Sequence, residues 1–488
     1  MQTTRESRKP RSDPILLLVL ALLAATLGIV PHLLPPVLTL ALLLLLSLAI
    51  VFLFLWPLGA TSLLLLATVV DRYGYELAGR TLKAEHVVVL ALSALLLLRR
   101  FLKGESRFYF SWPAVFAVGW LGLNFLSSYL SPVPSDTGAN DLIRLVLMLG
   151  IFLILPNLIR SETHLKYVFG FFLILGVAES IFGILALVLY YATGINLGVG
   201  FPASYPGPAP TGTLNAANIF GSYTMSVCLV FLVLLLVPAK ESLFPRRWML
   251  AGFWMSLAAL ALSLTRGAWL GFAATATLFL ILRRGFDRHL LKRVLIVGTV
   301  VSAALVTVVA AVYLLPSDIP LIGRLASLGR LGAERTVVGR LAKYDLAISA
   351  WRESPLLGWG TGGMARAFGR EARVLTWVGN LELHLLVDTG VAGLVLFALF
   401  VGTLILGAVA ALRSARGSPL RAILLSLTVG FAGLLAAYQA TEGTWLGVFW
   451  AHAGLVAAAT HVINNRARRQ ESEAGHPEIS APVRTPPR

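Results

Sequence analysis

Long apolar runs separated by short polar connections repeat along most of the chain. A helix rises about 1.5 Å per residue, so about 20 apolar residues cross the hydrocarbon core of a bilayer. Runs of this kind fall near 15–30, 37–56, 58–70, 86–98, 111–130, 139–156, 167–191, 216–237, 248–263, 268–282, 293–315, 385–412, 422–438 and 445–463. The pattern predicts an all-α polytopic membrane bundle of 12–14 transmembrane helices, twelve if the short runs 58–70 and 86–98 are half-spans. One long connection interrupts the series between 314 and 384. Within it, Leu341, Leu346, Ile348 and Trp351 give Gly339–Glu353 helical spacing. A turn at Ser354-Pro355 and a flexible glycine run, Gly358 to Gly363, follow, and the stretch as a whole reads as an ordered extracytoplasmic element rather than a linker.

Composition agrees with this reading. Of 488 residues, 57% are hydrophobic and 13% charged, against about 45–50% and about 25% in soluble domains. That excludes a cytosolic enzyme, a disordered chain and a nucleic-acid module, and makes the lipid bilayer the first partner. The lone Cys228 forms no intrachain disulfide and leaves the redox compartment open.

The formal net charge of +17 gains meaning only when sorted by side. One set of connections holds Arg5, Arg8, Lys9 and Arg11, then Arg99, Arg100 and Lys103, and later Arg283, Arg284 and Arg288 and Arg413, Arg416 and Arg421. The alternate set, including 31–36, 131–138, 192–213 and 439–444, has no Lys or Arg. The positive-inside rule makes the first set cytoplasmic, with both termini inside. The expected organisation is a basic cytoplasmic tail over 1–13, read as no cleavable signal peptide. A transmembrane bundle over 14–313, an extracytoplasmic loop over 314–384, C-terminal transmembrane helices over 385–463 and a disordered cytoplasmic tail over 464–488 follow.

The long loop falls outside by alternation, yet is basic. Over 314–380 it carries Arg324, Arg330, Arg335, Arg340, Lys343, Arg352, Arg366, Arg370 and Arg373 against five acids. Long loops cross regardless of charge. Arginine offers a planar fork of donors matched to phosphate oxygens, so its natural partners there are lipid phosphates or lipid-linked diphosphates. Two positions stand out from a solvated basic loop. Arg266 occupies the tight joint Leu264-Thr265-Arg266-Gly267 between two apolar runs, where a charge faces a cavity, a partner or lipid headgroups. Arg340 opens the loop helix, with Tyr344 and Trp351 on the same element.

At the entry to the span 385–412, helical spacing puts Asn380, His384 and Asp388 on one stripe. A carboxylate one turn from an imidazole fixes its tautomer and raises its basicity, so His384 with Asp388 is a candidate base, or else an ordinary interfacial pair. Glu179, Asn124, the pair Asp141/Arg144 and His452 line a cavity or join helices. The sequence holds no HExxH, P-loop or Cys/His ligand set, so neither a metal nor another cofactor is expected.

Three stretches resemble the O-antigen ligase and polymerase superfamily. The run Thr211-Gly212-Thr213-Leu214-Asn215-Ala216-Ala217-Asn218 resembles its G-T-x-x-N-x-x-N element, and Ser263-Leu264-Thr265-Arg266-Gly267-Ala268-Trp269 its S-x-S-R-G-A-W joint. Gly339-Arg340, Trp351, Ser354-Pro355-Leu356, Gly358-Trp359-Gly360 and Asn380 to Gly393 resemble its large loop and the helix after it. The resemblance implies a metal-independent, GT-C-like glycosyltransferase. It would move a glycan from an undecaprenyl-diphosphate carrier to a glycolipid or glycan acceptor hydroxyl on the outer face of the cytoplasmic membrane. Arg266 and Arg340 would hold the diphosphate and His384 with Asp388 would take the acceptor proton. Asn218, Arg335, Lys343 and Asn380 would bind substrate. The ligase pattern has a histidine where Gly379 stands here, so His384 takes that candidacy or the acceptor is activated otherwise, and ligase and polymerase both stay open. A transporter of small anions or lipid-linked glycans and a non-catalytic envelope scaffold are the competing classes.

Overall fold

The computed structural model describes residues 57–77, 80–103, 108–133, 136–201, 207–282, 335–368 and 378–474. The expected spans at 15–30, 37–56 and 293–315, the tail over 1–13 and residues 475–488 lie outside the described residues, whereas 464–474, expected to be disordered, continue the last helix, Gly447–Ala474. Every other expected span is a helix. In chain order these are α1 (Pro57–Val69), α2 (Ala84–Lys103), α3 (Trp112–Leu130), α4 (Asp136–Leu158), α5 (Glu162–Thr193), α6 (Ala217–Leu236), α7 (Arg246–Leu262) and α8 (Arg266–Leu282). Then come the loop helices α9 (Arg335–Glu353) and α10 (Gly363–Phe368), followed by α11 (Leu381–Ser414), α12 (Pro419–Ala437) and α13 (Gly447–Ala474). Six of them, α3, α4, α5, α6, α11 and α12, are long and apolar enough to cross a membrane. The chain is a polytopic helical membrane protein.

Local chemistry sets several ends. The Ser161 hydroxyl caps α5 by accepting from the His164 amide at 3.1 Å, and Gly194 ends it in the left-handed region at φ 76°. Ser418 caps α12, with Pro419 at its first position. Two short antiparallel hairpins lie outside the helical pattern: β1 (Gly74–Leu77) with β2 (Arg80–Lys83), and β3 (Val199–Gly200) with β4 (Ala209–Pro210). Four- and two-residue strands leave no hydrophobic period to read.

The helices α6 and α12 form the middle of the bundle, with 83% and 72% of their most apolar windows buried. For α3 and α11 that share is 28%, so most of their apolar surface faces outward from the protein. α6 packs on α12 and α7, α11 on α3, α13 on α4, and α8 on α12. Trp120, Phe152, Phe397, Phe400, Phe449 and Trp450 stack edge and face at the centre. One end of the bundle is pinned by ion pairs of Arg466 with Glu162 (3.1 Å) and Arg421 with Glu241 (3.2 Å). The opposite end carries the hairpins, α9, α10 and the candidate chemistry.

Several polar residues inside the bundle are joints between helices. The Asn124 amide donates to the Trp120 carbonyl and accepts from the Thr361 hydroxyl at 3.2 Å. His452 lies between the Ser226 hydroxyl (3.2 Å) and the Leu427 carbonyl (2.8 Å). Arg144 pairs with Asp71 at 3.4 Å, which also meets Lys83, and not with Asp141 as the sequence implied. The two α4 side chains lie three residues apart, but Arg144 makes its ion pair with Asp71, from the segment after α1.

Candidate functional site

The joint between α7 and α8 is built residue by residue. Leu264 sits at φ 54°, a left-handed conformation costly for a side chain with a Cβ. The surroundings hold it. The Ser263 hydroxyl accepts from the Thr265 amide (3.3 Å), and the Thr265 hydroxyl donates to the Ala217 carbonyl (3.0 Å). The Trp269 indole reaches back to the Leu260 carbonyl at 2.8 Å. A Cβ on Gly267 would stand 2.7 Å from the Cβ of Ala440, so only glycine lets α8 approach the segment after α12 this closely. Arg266 is thereby fixed at the first turn of α8.

The loop before α6 is fixed from below. The Glu179 carboxylate, buried in α5, accepts from the Thr213 amide (2.7 Å) and the Thr213 hydroxyl (2.8 Å). Gly212, at φ 60°, lies against that carboxylate where any side chain would collide. Glu179 thus anchors this loop, which delivers Asn215 and Asn218.

These two joints and α9 enclose a cavity of about 310 Å³. Arg266, Arg340, Asn218, Ser263, Thr265 and Thr441 are among its lining residues. Asn218 donates to the Thr441 hydroxyl at 2.7 Å. Arg340 is half-buried. Its helix is held by a small core of Ala347, Ala350, Met364, Val378 and Val387, and by the Tyr344 hydroxyl donating to the Gly379 carbonyl at 3.2 Å. Both α6 and α8 begin at the cavity, and Ala216 gives α6 no side-chain cap. First-turn amides have no partner within their own helix and carry partial positive charge. Two guanidinium groups and two helix starts around one space make a site suited to an anion with several oxygens.

The other candidates lie elsewhere. Lys343 is half-buried on α9, three residues beyond Arg340, and is not part of the lining. Arg335 is the first residue of α9. Asn380 caps α11, its side chain accepting from the Leu383 amide (2.9 Å) and donating to the Gln439 carbonyl (3.2 Å).

His384 and Asp388 come together as the stripe implied, at 3.4 Å, but behind the cavity wall rather than on it. The Trp445 indole N–H points at the His384 Nε2 at 3.1 Å, and Nδ1 lies 3.4 Å from Glu442. Glu442 in turn accepts from the Gly379 amide at 2.6 Å. Burial holds the Glu442 carboxyl above the ordinary carboxylate range, and His384 partly offsets this. Asp388 accepts from the amides of Gly363 (2.8 Å) and Gly362 (3.3 Å). The run Gly358–Gly363, expected to be flexible, is an ordered clamp on α11: Trp359 and Gly360 donate to the Val387 and Asp388 carbonyls at 2.8 and 2.9 Å. Arg366 is buried beside it and donates to the Thr361 and Val133 carbonyls; burial lowers its affinity for the proton.

Thr441, Glu442 and Trp445 escaped the sequence reading. All three sit in 438–446, a short connection without Lys or Arg, and the one available signal was a lone carboxylate in a joint between two apolar helices. This segment couples the two parts of the site, since Ala440 and Thr441 line the cavity while Glu442 and Trp445 hold His384.

Fold and site together define a polytopic helical membrane protein with a basic cavity at one end of its bundle. Residues 251–398, from α7 into α11, match the family model described as O-antigen ligase. That stretch contains Arg266, Arg340, His384 and Asp388. No curated protein matches the chain.

Proposed function

We propose that the protein is a membrane glycosyltransferase of the O-antigen ligase or polysaccharide polymerase type. It transfers a glycan from an undecaprenyl-diphosphate carrier to a hydroxyl of a glycolipid or glycan acceptor. The observation that carries this reading is the convergence of Arg266 and Arg340, 74 residues apart in sequence, on one cavity where two helices begin. As the bond from the sugar's anomeric carbon to the diphosphate oxygen breaks, negative charge grows on the leaving diphosphate. Preorganised guanidinium and amide donors stabilise that charge as it develops. The acceptor oxygen bonds to the same carbon and gives its proton to water. Because three of the connections at the cavity end, 131–135, 194–216 and 438–446, hold no Lys or Arg, and long loops cross regardless of charge, we assign that end to the outer face of the cytoplasmic membrane, with both termini inside.

His384 and Asp388 receive a bracing role, since Glu442 and Trp445 hang from His384 and the same segment presents Thr441 to the cavity. Misplacing a reacting group by about 1 Å costs about 10²-fold in rate. His384→Ala is therefore expected to lower kcat by about 10²-fold. His384→Gln, whose amide can serve both partners, should retain most of the rate with an unchanged pH profile. Equal collapse of both variants would instead make His384 the proton acceptor.

The reading is tested with purified protein, an undecaprenyl-diphosphate-linked oligosaccharide, an acceptor glycan and a chelator. Release of glycan from the lipid, or its lengthening, at a rate unchanged by chelator is the expected result. No turnover of any such donor, or strict dependence on added metal, would overturn it.

A further inference from the structure

Part of the cavity wall has no charged side chain in its lining, although Arg72 stands behind it. It is formed by the β3/β4 hairpin and the residues beside it, with Phe201, Thr211 and Asn215 supplying its chemistry. Phe201 is 58% exposed although it is apolar. Its ring meets Tyr190 edge-on, with centroids 5.4 Å apart and planes at 70°, which restricts its orientation. Asn215 is exposed, and among the described residues its amide has no hydrogen-bond partner, whereas Asn218 is committed to Thr441. The Thr211 oxygen accepts from Arg72 at 3.0 Å, so its own hydroxyl hydrogen remains to be donated.

A ring face beside a free amide and a hydroxyl donor suits a ligand that is apolar on one face and hydroxylated around its rim. A pyranose has that form: its axial C–H bonds make an apolar face and its hydroxyls project at the edge. A phosphate has no use for the ring, and a prenyl chain has none for the amide or hydroxyl. We propose that this wall holds the sugar joined to the diphosphate. Phe201 is its stacking platform, and Asn215 and Thr211 hydrogen-bond its hydroxyls. The inference rests on the reading that Arg266 and Arg340 bind the diphosphate, and adds to it a site for the glycan's first residue.

The test compares binding of two lipids by the full-length purified protein in detergent: bare undecaprenyl diphosphate, and undecaprenyl diphosphate bearing a short oligosaccharide. Phe201 and Asn215 are exposed, so their substitution leaves the fold intact, which size-exclusion chromatography checks. Phe201→Ala is expected to weaken the glycan-bearing lipid by about tenfold and the bare lipid by less than about twofold, the scale of one aromatic contact. Phe201→Trp should keep wild-type affinity for both, and Asn215→Ala should follow Phe201→Ala with a smaller effect. Equal weakening of both lipids by Phe201→Ala would make Phe201 an interfacial aromatic that touches the carrier, and would overturn the sugar site alone. So would no effect on either lipid. If the wild-type protein binds neither lipid, the diphosphate reading falls and the sugar site falls with it.

Discussion

Arg266→Ala is expected to lower kcat for glycan transfer by about 10³-fold, the upper range for loss of one donor to a developing oxyanion. The protein should still fold. Arg266 is half-buried at the start of α8, and the joint around it is held by Ser263, Thr265, Gly267 and Trp269. Arg266→Lys keeps the charge but loses the planar fork, and should recover only a small part of the rate. Arg340→Ala should cost about 10²-fold. The double variant should fall by less than the product of the two, because both groups act on one leaving group. Single-turnover assays on protein verified by size-exclusion chromatography give these values. Wild-type rates in both single variants would remove the diphosphate assignment.

Gly390→Ala should have the largest structural effect of any single methyl addition in α11. Gly390 has φ 62° and ψ −164°, a region open essentially to glycine alone. A Cβ there would also collide with the Leu356 carbonyl. At this break α11 exchanges partners with the 354–363 loop. The Val391 and Ala392 amides donate to the Pro355 and Leu356 carbonyls at 2.9 and 3.2 Å, while the Val387 and Asp388 carbonyls accept from Trp359 and Gly360. The added methyl therefore strains the backbone and breaks the clamp that orients Asp388. A loss of at least about 4 kcal/mol is expected, the range reserved for strain combined with a lost hydrogen-bond network. It would be read as a large fall in thermal midpoint in detergent. Gly402 is the control. It lies in the same helix with nothing near its missing side chain, and Gly402→Ala should change neither midpoint nor rate.

The helices were legible because burial in a membrane imposes one period and one length. Each described span from 58–70 to 445–463 formed its helix, and the spacing of Leu341, Leu346 and Trp351 marked the loop helix. Arg266 was legible for a related reason, since a guanidinium in a joint between apolar runs must have a polar destination. The shared cavity of Arg266, Arg340 and Asn218 is where that expectation and the geometry coincide. The partners of the other polar groups were not legible. Helical spacing places His384 beside Asp388, but no period in the sequence relates His384 to Glu442 or Trp445, which approach it from the connection between α12 and α13. The same blindness made Gly358–Gly363 look mobile. Glycine density marks positive φ, as at Gly358, Gly360 and Gly362, but does not say whether a partner holds the backbone there. Asp141 and Arg144 were misread because proximity along a helix outweighed Asp71, a partner from another element.

The break at Gly390 also has a consequence for how the chain is made. A ribosome delivers residues 354–363 before it delivers α11. The carbonyls of Pro355 and Leu356 therefore exist before the amides of Val391 and Ala392 that need them. Until the two segments meet, the ordinary helical acceptors for those amides are the Val387 and Asp388 carbonyls, which the fold gives over to Trp359 and Gly360. The earlier segment is thus a template waiting for the nascent helix, and α11 exchanges its regular hydrogen bonds for the broken form only by meeting it.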